Sequence, residues 1–332
     1  MATYKEIRGT QIEAVASDPS NPVEGQVWYN TTSNVLKGEA ATAAGSWATG
    51  GSLNTARNDG AVGLAGTKSS ALYAGGYTTT IVANVETYNG TSWTETTDIP
   101  TATYAFGGTG ASSTSAIVFA GQTPGSPATT ATYEWGGSSW TSGGALNSGQ
   151  RYRRGAGIQT AALAVGGNGG SPSPSGETEQ YNGSAWTEVN DLNTARTAGT
   201  MGGGGSPYTA ALYFGGYPVP SGGALTESWN GTNWTEVNDL NTARQALGGS
   251  GTSTSALAFG GGVVPPVTGD TEEWNGTNWT ETTNMSTARY ALSGGGASSA
   301  SAIGTGGTPP TTAATEVWTG AGAAQTRTFT DS

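Results

Sequence analysis

Apolar and polar positions along this chain recur in one fixed order. The run ALYAGG at 71–76 has counterparts ALAVGG at 162–167, ALYFGG at 211–216, ALAFGG at 256–261 and AIGTGG at 302–307. A Gly-rich apolar stretch precedes each run, as at 61–65 and 198–201. A polar segment follows each, then Glu-x-Tyr/Trp, a short turn, and a Trp-Thr. Apolar runs this short, bounded by Gly, Asn and Pro, predict strands rather than helices. Four of them fit each unit: a, the Gly-rich stretch; b, ending in the Gly-Gly doublet; c, carrying Glu-x-aromatic; and d, opening on tryptophan. The tryptophans Trp47, Trp93, Trp140, Trp186, Trp234 and Trp279 mark the period, successive ones lying 45 to 48 residues apart. Four strands and four loops occupy that length, so the pattern predicts six four-stranded antiparallel units arranged in a ring.

The turn between c and d is legible at residue level. Asn89-Gly90, Asn182-Gly183, Asn230-Gly231 and Asn275-Gly276 each sit between aromatic-bearing strands. Asn-Gly supplies the positive φ that a two-residue hairpin turn demands. The same asparagines open N-x-Ser/Thr sequons, but no signal peptide accompanies them and the turn reading is preferred. The periodic aromatics read as packing between like units rather than as sugar platforms.

Composition agrees with an all-β chain. Glycine contributes 56 of 332 residues and charged residues only 11%, while 11 Trp and 13 Tyr exclude a disordered low-complexity chain. The net charge of -11 argues against nucleic acid or an anionic membrane as partner. No apolar run is long enough to span a bilayer. The chain has neither Cys nor His. That excludes Ser-His-Asp and Cys-His catalysis and zinc sites built on thiolate or imidazole, and no cofactor or metal is expected.

The unit resembles the kelch repeat of galactose-oxidase-like β-propellers: an arginine opens it, a Gly-Gly doublet ends strand b, and an aromatic and a Trp bracket the c–d hairpin. The resemblance covers about residues 47 to 320 and implies an all-β, six-bladed kelch-like β-propeller with a short N-terminal attachment hairpin. Repeat two departs from it, with Thr103 in the arginine slot and Ala120-Gly121 for the doublet; such exceptions cost little in a repeat array. The copper chemistry of galactose oxidase is excluded, because it needs His and a Cys-Tyr crosslink.

A meander of this kind puts the b–c and d–a loops at one end of the ring. The b–c loops differ in sequence and hold ten of the fourteen prolines, whereas the a–b and c–d turns are short and uniform. Variable loops on a rigid scaffold are where binding is expected. The repeated Arg57, Arg196, Arg244 and Arg289, with Arg151 one residue out of register, lie at this end with the repeated Glu86, Glu179, Glu227, Glu272 and Glu316. One reading is a ring of Arg-carboxylate pairs between blades; the other is a site for an anionic ligand or glycan. Arg151, Arg153 and Arg154, with Tyr152, form the one basic cluster in the chain. The candidate ligand-binding set is therefore Arg57, Arg151, Arg153, Arg154, Arg196, Arg244 and Arg289. A sialidase-like, glycan-hydrolysing site would need an acidic departure at one blade, and none is found, so no catalytic residue is assigned.

Residues 1–38 do not fit the repeat, and 1–45 are expected to form a docking or oligomerisation segment, with 46–332 as the propeller. Strands are expected near 26–30 and 34–37. GQVWYNTTSNVLKG at 25–38 resembles a segment near the start of tail fibre and other virion proteins of tailed, especially marine, phages, where kelch-like arrays also occur. That resemblance implies a non-enzymatic virion protein, made in the host cytoplasm and carried on a tail or surface appendage. It would dock to other virion proteins through the N-terminal segment, be homo-oligomeric (a trimer is one option), and bind host surface glycan or protein through the b–c loops. A purely structural capsid or tail decoration is the alternative. The strand at Trp47 is expected to complete the last blade, in preference to 325–330, whose strand would pair elsewhere, for instance with the N-terminal hairpin.

Overall fold

The computed structural model describes residues 12–19, 26–40, 44–125, 127–169, 173–203, 208–218, 223–262, 266–321 and 325–329. All regular structure among them is β: seven four-stranded sheets, divided between two compact units.

One unit comprises Met1–Gly45 and Gly320–Ser332. Its sheet contains Glu13–Val15, Val27–Asn30, Val35–Ala40 and the tail strand Gln325–Phe329, which pairs antiparallel with Val35–Ala40. Asp18 ties the hairpin together: it pairs with Lys37 at 2.7 Å and accepts hydrogen bonds from Asn30 Nδ2 at 2.7 Å and Trp28 Nε1 at 3.0 Å. These donors, Lys37 foremost, pull its carboxyl down to about 2. The propeller domain expected at 46–332 thus gives up its tail to the first unit. Residues 1–11, 20–25 and 41–43 of the docking segment lie outside the described residues.

The second unit, Ser46–Thr319, holds the other six sheets, each ordered a-b-c-d. In the first these are Ala61–Thr67, Ser70–Tyr77, Ile81–Tyr88 and Trp93–Thr96. The a strands of the next four are Gly107–Ser112, Arg154–Ile158, Thr200–Gly202 and Gly248–Thr252. The sixth takes a, b and c from Ser293–Ser298, Ser301–Thr305 and Thr315–Thr319, and d from Ser46–Thr49, pairing Trp318 with Trp47. Strand d of that sheet therefore comes from the N-terminal side, as expected.

The sheets are joined to one another by two recurring bonds. The second glycine of each doublet donates its N–H to the carbonyl of the arginine-slot residue in the following sheet: Gly76 to Thr103, Gly121 to Gln150, Gly167 to Arg196, Gly216 to Arg244, Gly261 to Arg289, and Gly307 back to Arg57. Glycine is required there: Gly76 has φ of 111°, and a Cβ on it would stand 2.6 Å from the Asn58 carbonyl. The second bond comes from the strand-d tryptophans. Trp93 donates to Thr315, Trp186 to Thr132, Trp234 to Thr178, Trp279 to Thr226 and Trp47 to Thr271, all at 2.9 to 3.1 Å and each into the preceding sheet. Each ring also packs on the aromatic across its own hairpin, as Trp229 on Trp234 with centroids 5.2 Å apart. The tryptophans are thus bound up in packing between sheets. Strands a contact one another in sequence, and the sixth contacts the first, an arrangement consistent with a β-propeller.

Candidate functional site

Isolated bridges join the residue after each arginine slot to the residue after each doublet: Asn58 to Tyr77, Tyr104 to Gln122, Arg151 to Asn168, Thr197 to Tyr217, Gln245 to Gly262 and Tyr290 to Thr308. The d–a and b–c loops therefore share one end of the sheets, where sequence placed the candidate arginines.

Five of those arginines are spoken for. Arg57, Arg153, Arg196, Arg244 and Arg289 are fully buried and pair with Glu86, Glu179, Glu227, Glu272 and Glu316 at 3.0, 2.6, 2.7, 2.8 and 2.9 Å. In each pair the glutamate lies on strand c of the sheet whose strand a the arginine introduces. The pairs are internal to a sheet, which corrects the expectation of pairs between blades. The same glutamates hold the incoming loop, accepting the backbone N–H of Asn54, Asn147, Asn193, Asn241 and Ser286. Burial pulls Arg244 and Arg289 below the ordinary guanidinium value, and Glu272 and Glu316 oppose it. A guanidinium with no solvent-facing surface and a carboxylate already on its fork has nothing to offer a ligand.

In the third sheet Arg151 stands one residue past the slot, as its register along the chain indicated; the slot holds Gln150, whose carbonyl accepts from Gly121. Arg153 reaches into the vacated place and binds both Glu177 and Glu179. The second sheet lacks the pair entirely. Thr103 occupies the slot. Tyr133 stands where glutamate stands elsewhere, since Val118 pairs with Tyr133 as Tyr213 pairs with Glu227. Both charges are lost together, so neither is left buried alone. The space the pair leaves is a cavity of about 40 Å³ among Ile99, Thr103, Phe106, Val118, Phe119 and Tyr133.

Arg151 and Arg154 remain, and the structure brings them beside residues that sequence did not single out. Arg151 Nη1 donates to Gln122 Oε1 at 3.0 Å, and Tyr104 Oη donates to the same oxygen at 3.1 Å. The Tyr104 ring lies 6.0 Å from that of Tyr77, which is 40% exposed. Arg151 Nε is buried without an acceptor among the described residues. An exposed tyrosine, a half-buried one, an amide and an arginine fork thus converge over the first three sheets. Arg154 donates to the Gly199 carbonyl at 2.7 Å and, with Asp59, lines a cavity of about 70 Å³ between the a strands. Burial pushes the Asp59 carboxyl up to about 6, with Arg154 partly offsetting it, and pushes Tyr152 up to about 12, with Asp59 and Tyr104 adding to the rise. Asp59, Ala105, Tyr152, Ala198, Ala246 and Ala291 occupy equivalent positive-φ positions, so Asp59 and Tyr152 are side-chain departures in a frame otherwise filled by alanine. The one sequence signal for this site was the irregularity of repeats two and three.

Among the described residues no cluster of three or more Asp, Glu, His or Cys could hold a metal ion. No protein-family model matches this chain, and no curated protein does so either.

Proposed function

We propose that the six sheets of Ser46–Thr319 are the blades of a closed, kelch-like six-bladed propeller, and that the protein is a non-enzymatic phage virion component of tail-fibre type, binding host surface glycan or protein through its b–c face. The cycle of inter-sheet bonds returning from Gly307 to Arg57 supports the blade count. The observation that carries the binding reading is the convergence of Tyr77, Tyr104, Gln122 and Arg151 on that face. Aromatic rings stack on the apolar faces of sugars, while an amide and a guanidinium address hydroxyls and carboxylates. The four residues occupy two equivalent positions of the repeat, which vary among Tyr, Gln, Asn, Gly and Thr after the doublet and among Asn, Tyr, Arg, Thr and Gln after the slot, so no other adjoining sheets carry the same set. The virion assignment rests on the resemblance of residues 25–38 to tail-fibre segments.

The full chain, displayed against an array of bacterial surface glycans and against whole cells, should bind a subset of them. Tyr104→Ala with Arg151→Ala should reduce that binding at least tenfold without changing the fold. Binding indifferent to both substitutions would remove the site, and release of new reducing ends from a bound polysaccharide would overturn the non-enzymatic reading. Immunogold labelling at a tail tip supports adhesion; a regular capsid lattice supports decoration instead.

A further inference from the structure

The second sheet departs from the other five at three positions that meet in space: Thr103 for arginine or its substitute, Tyr133 for glutamate, and Ala120 for the first glycine of the doublet. What the arginine does elsewhere defines what is missing. In the fourth sheet Arg196 Nη1 donates to the carbonyls of Gly215 and Leu225; in the fifth Arg244 Nη1 donates to those of Gly260 and Asp270; in the sixth Arg289 Nη1 donates to those of Gly306 and Ala314. The equivalent carbonyls in the second sheet belong to Ala120 and Ala131, by the matching bonds Ala120 N–H to Ala131 and Gly215 N–H to Leu225. Both residues line the vacated cavity. Its floor is Ile99, Phe106, Val118 and Phe119, and its hydroxyls include those of Thr101 and Tyr133, 3.0 Å apart. Ala120 is held at φ 62°, in the left-handed region that glycine occupies in the five sibling sheets. Strain of this kind collects at binding sites.

The chemistry of an occupant follows from the siblings. The two carbonyls are set to receive a planar N–H. With no carboxylate opposite, a buried cation would go uncompensated, so the donor is neutral. The floor is apolar and takes a methyl group, and the hydroxyls can donate to a carbonyl oxygen. A planar, neutral group with an N–H, a C=O and a methyl is an acetamide. The volume of about 40 Å³, room for about three waters, suits so small a group. Thr103 and Thr123 line the cavity and are the chain neighbours of Tyr104 and Gln122, so its wall lies one residue along the chain from the aromatic and amide groups described above. We propose that this pocket receives the acetamido group of an N-acetylated amino sugar, the pyranose ring lying against Tyr104. The proposal rests on the glycan-binding reading of the b–c face.

The full chain is titrated with N-acetylglucosamine, N-acetylgalactosamine, glucosamine, glucose and Nε-acetyl-lysine, followed by NMR. At least one N-acetylated sugar should bind tenfold or more tightly than its non-acetylated analogues. Thr103→Arg with Tyr133→Glu, which rebuilds the pair the other sheets carry, fills the cavity and should abolish that preference. Thr103→Leu, filling it without charge, should do the same, and serves if the double variant does not fold. Equal binding of acetylated and plain sugars sinks the proposal but leaves glycan binding standing; no sugar binding at all sinks both. Acetyl-lysine binding as tightly as the best sugar reassigns the pocket to acetylated amines and overturns the sugar.

Discussion

Substituting Glu227 by glutamine tests whether the repeated ion pair carries the fold. Glu227 receives Arg196 Nη2 at 2.7 Å, Asn193 N–H at 2.8 Å and Asn193 Nδ2 at 2.9 Å, all inside the protein. Glutamine keeps the shape but offers one acceptor oxygen in place of two, and no charge. Arg196 is then a buried cation facing only the carbonyls of Gly215, Leu225 and Thr194. Removing one partner of a buried pair costs about 3 to 5 kcal/mol. At roughly 2.1 cal/mol/K of unfolding entropy per residue, the length of Ser46–Thr319 turns 4 kcal/mol into a fall of about 7 °C in the midpoint. The second sheet supplies the control. Arg196→Thr with Glu227→Tyr copies Thr103 and Tyr133, so the double variant should recover at least half of the loss, a coupling of about 2 kcal/mol between the sites. Thermal and urea unfolding of the three single variants and the double give the cycle. A cost below about 1 kcal/mol for Glu227→Gln, or a double variant no better than the sum of its singles, would refute the reasoning.

Two further outcomes follow from the packing and the charges. The Asp59 carboxyl, raised from 3.8 to about 6, binds a proton in the folded state that the unfolded chain releases, so its ionisation takes stability away as pH rises from about 4 through 6. Asp59→Ala, the residue four sibling positions carry, should gain on the wild type by about 3 kcal/mol across that window; urea unfolding at pH 4, 5, 6 and 8 reads it, and parallel curves would show that the group is not perturbed. Trp47→Ala strips the closing strand of its contacts with Phe259 and Trp318 and its bond to Thr271 and should cost about 3 kcal/mol; an unchanged melting midpoint would mean that Ser46–Thr49 does not hold the sixth sheet.

The period, the strand order and the c–d turns were readable because each is local: a tryptophan every 45 to 48 residues and an Asn-Gly between aromatics need no knowledge of neighbours. The association of Arg with Glu was readable too, since both recur in register. Its direction was not, because a period fixes the order of strands and not which sheet each side chain folds back upon. The irregular register at 151 was visible too, but not that Arg153, two residues further on, supplies the partner of Glu179 while Gln150 holds the slot. Thr103 and Ala120 were visible as irregularities, but the cavity they make depends on Tyr133 lying opposite Val118, a register that single-residue comparison does not supply. The Tyr77, Tyr104 and Gln122 cluster joins two sheets and has no signature along the chain.

The borrowed strand of the sixth sheet has a kinetic cost. Ser46–Thr49 leaves the ribosome well before its partner, Thr315–Thr319, and can pair with it only after all the sheets between them have been made. Bringing segments that far apart in the chain together costs about 5 kcal/mol in chain entropy, a cost that the bonds joining each sheet to the next help to offset. Until then the strand waits with both edges unpaired, and Thr315–Thr319, paired on one side with Ser301–Thr305, waits with the other edge open. An edge left open in this way pairs with any matching strand, so before Ser46–Thr49 arrives the edge of Thr315–Thr319 can equally well take that strand from a second copy of the chain.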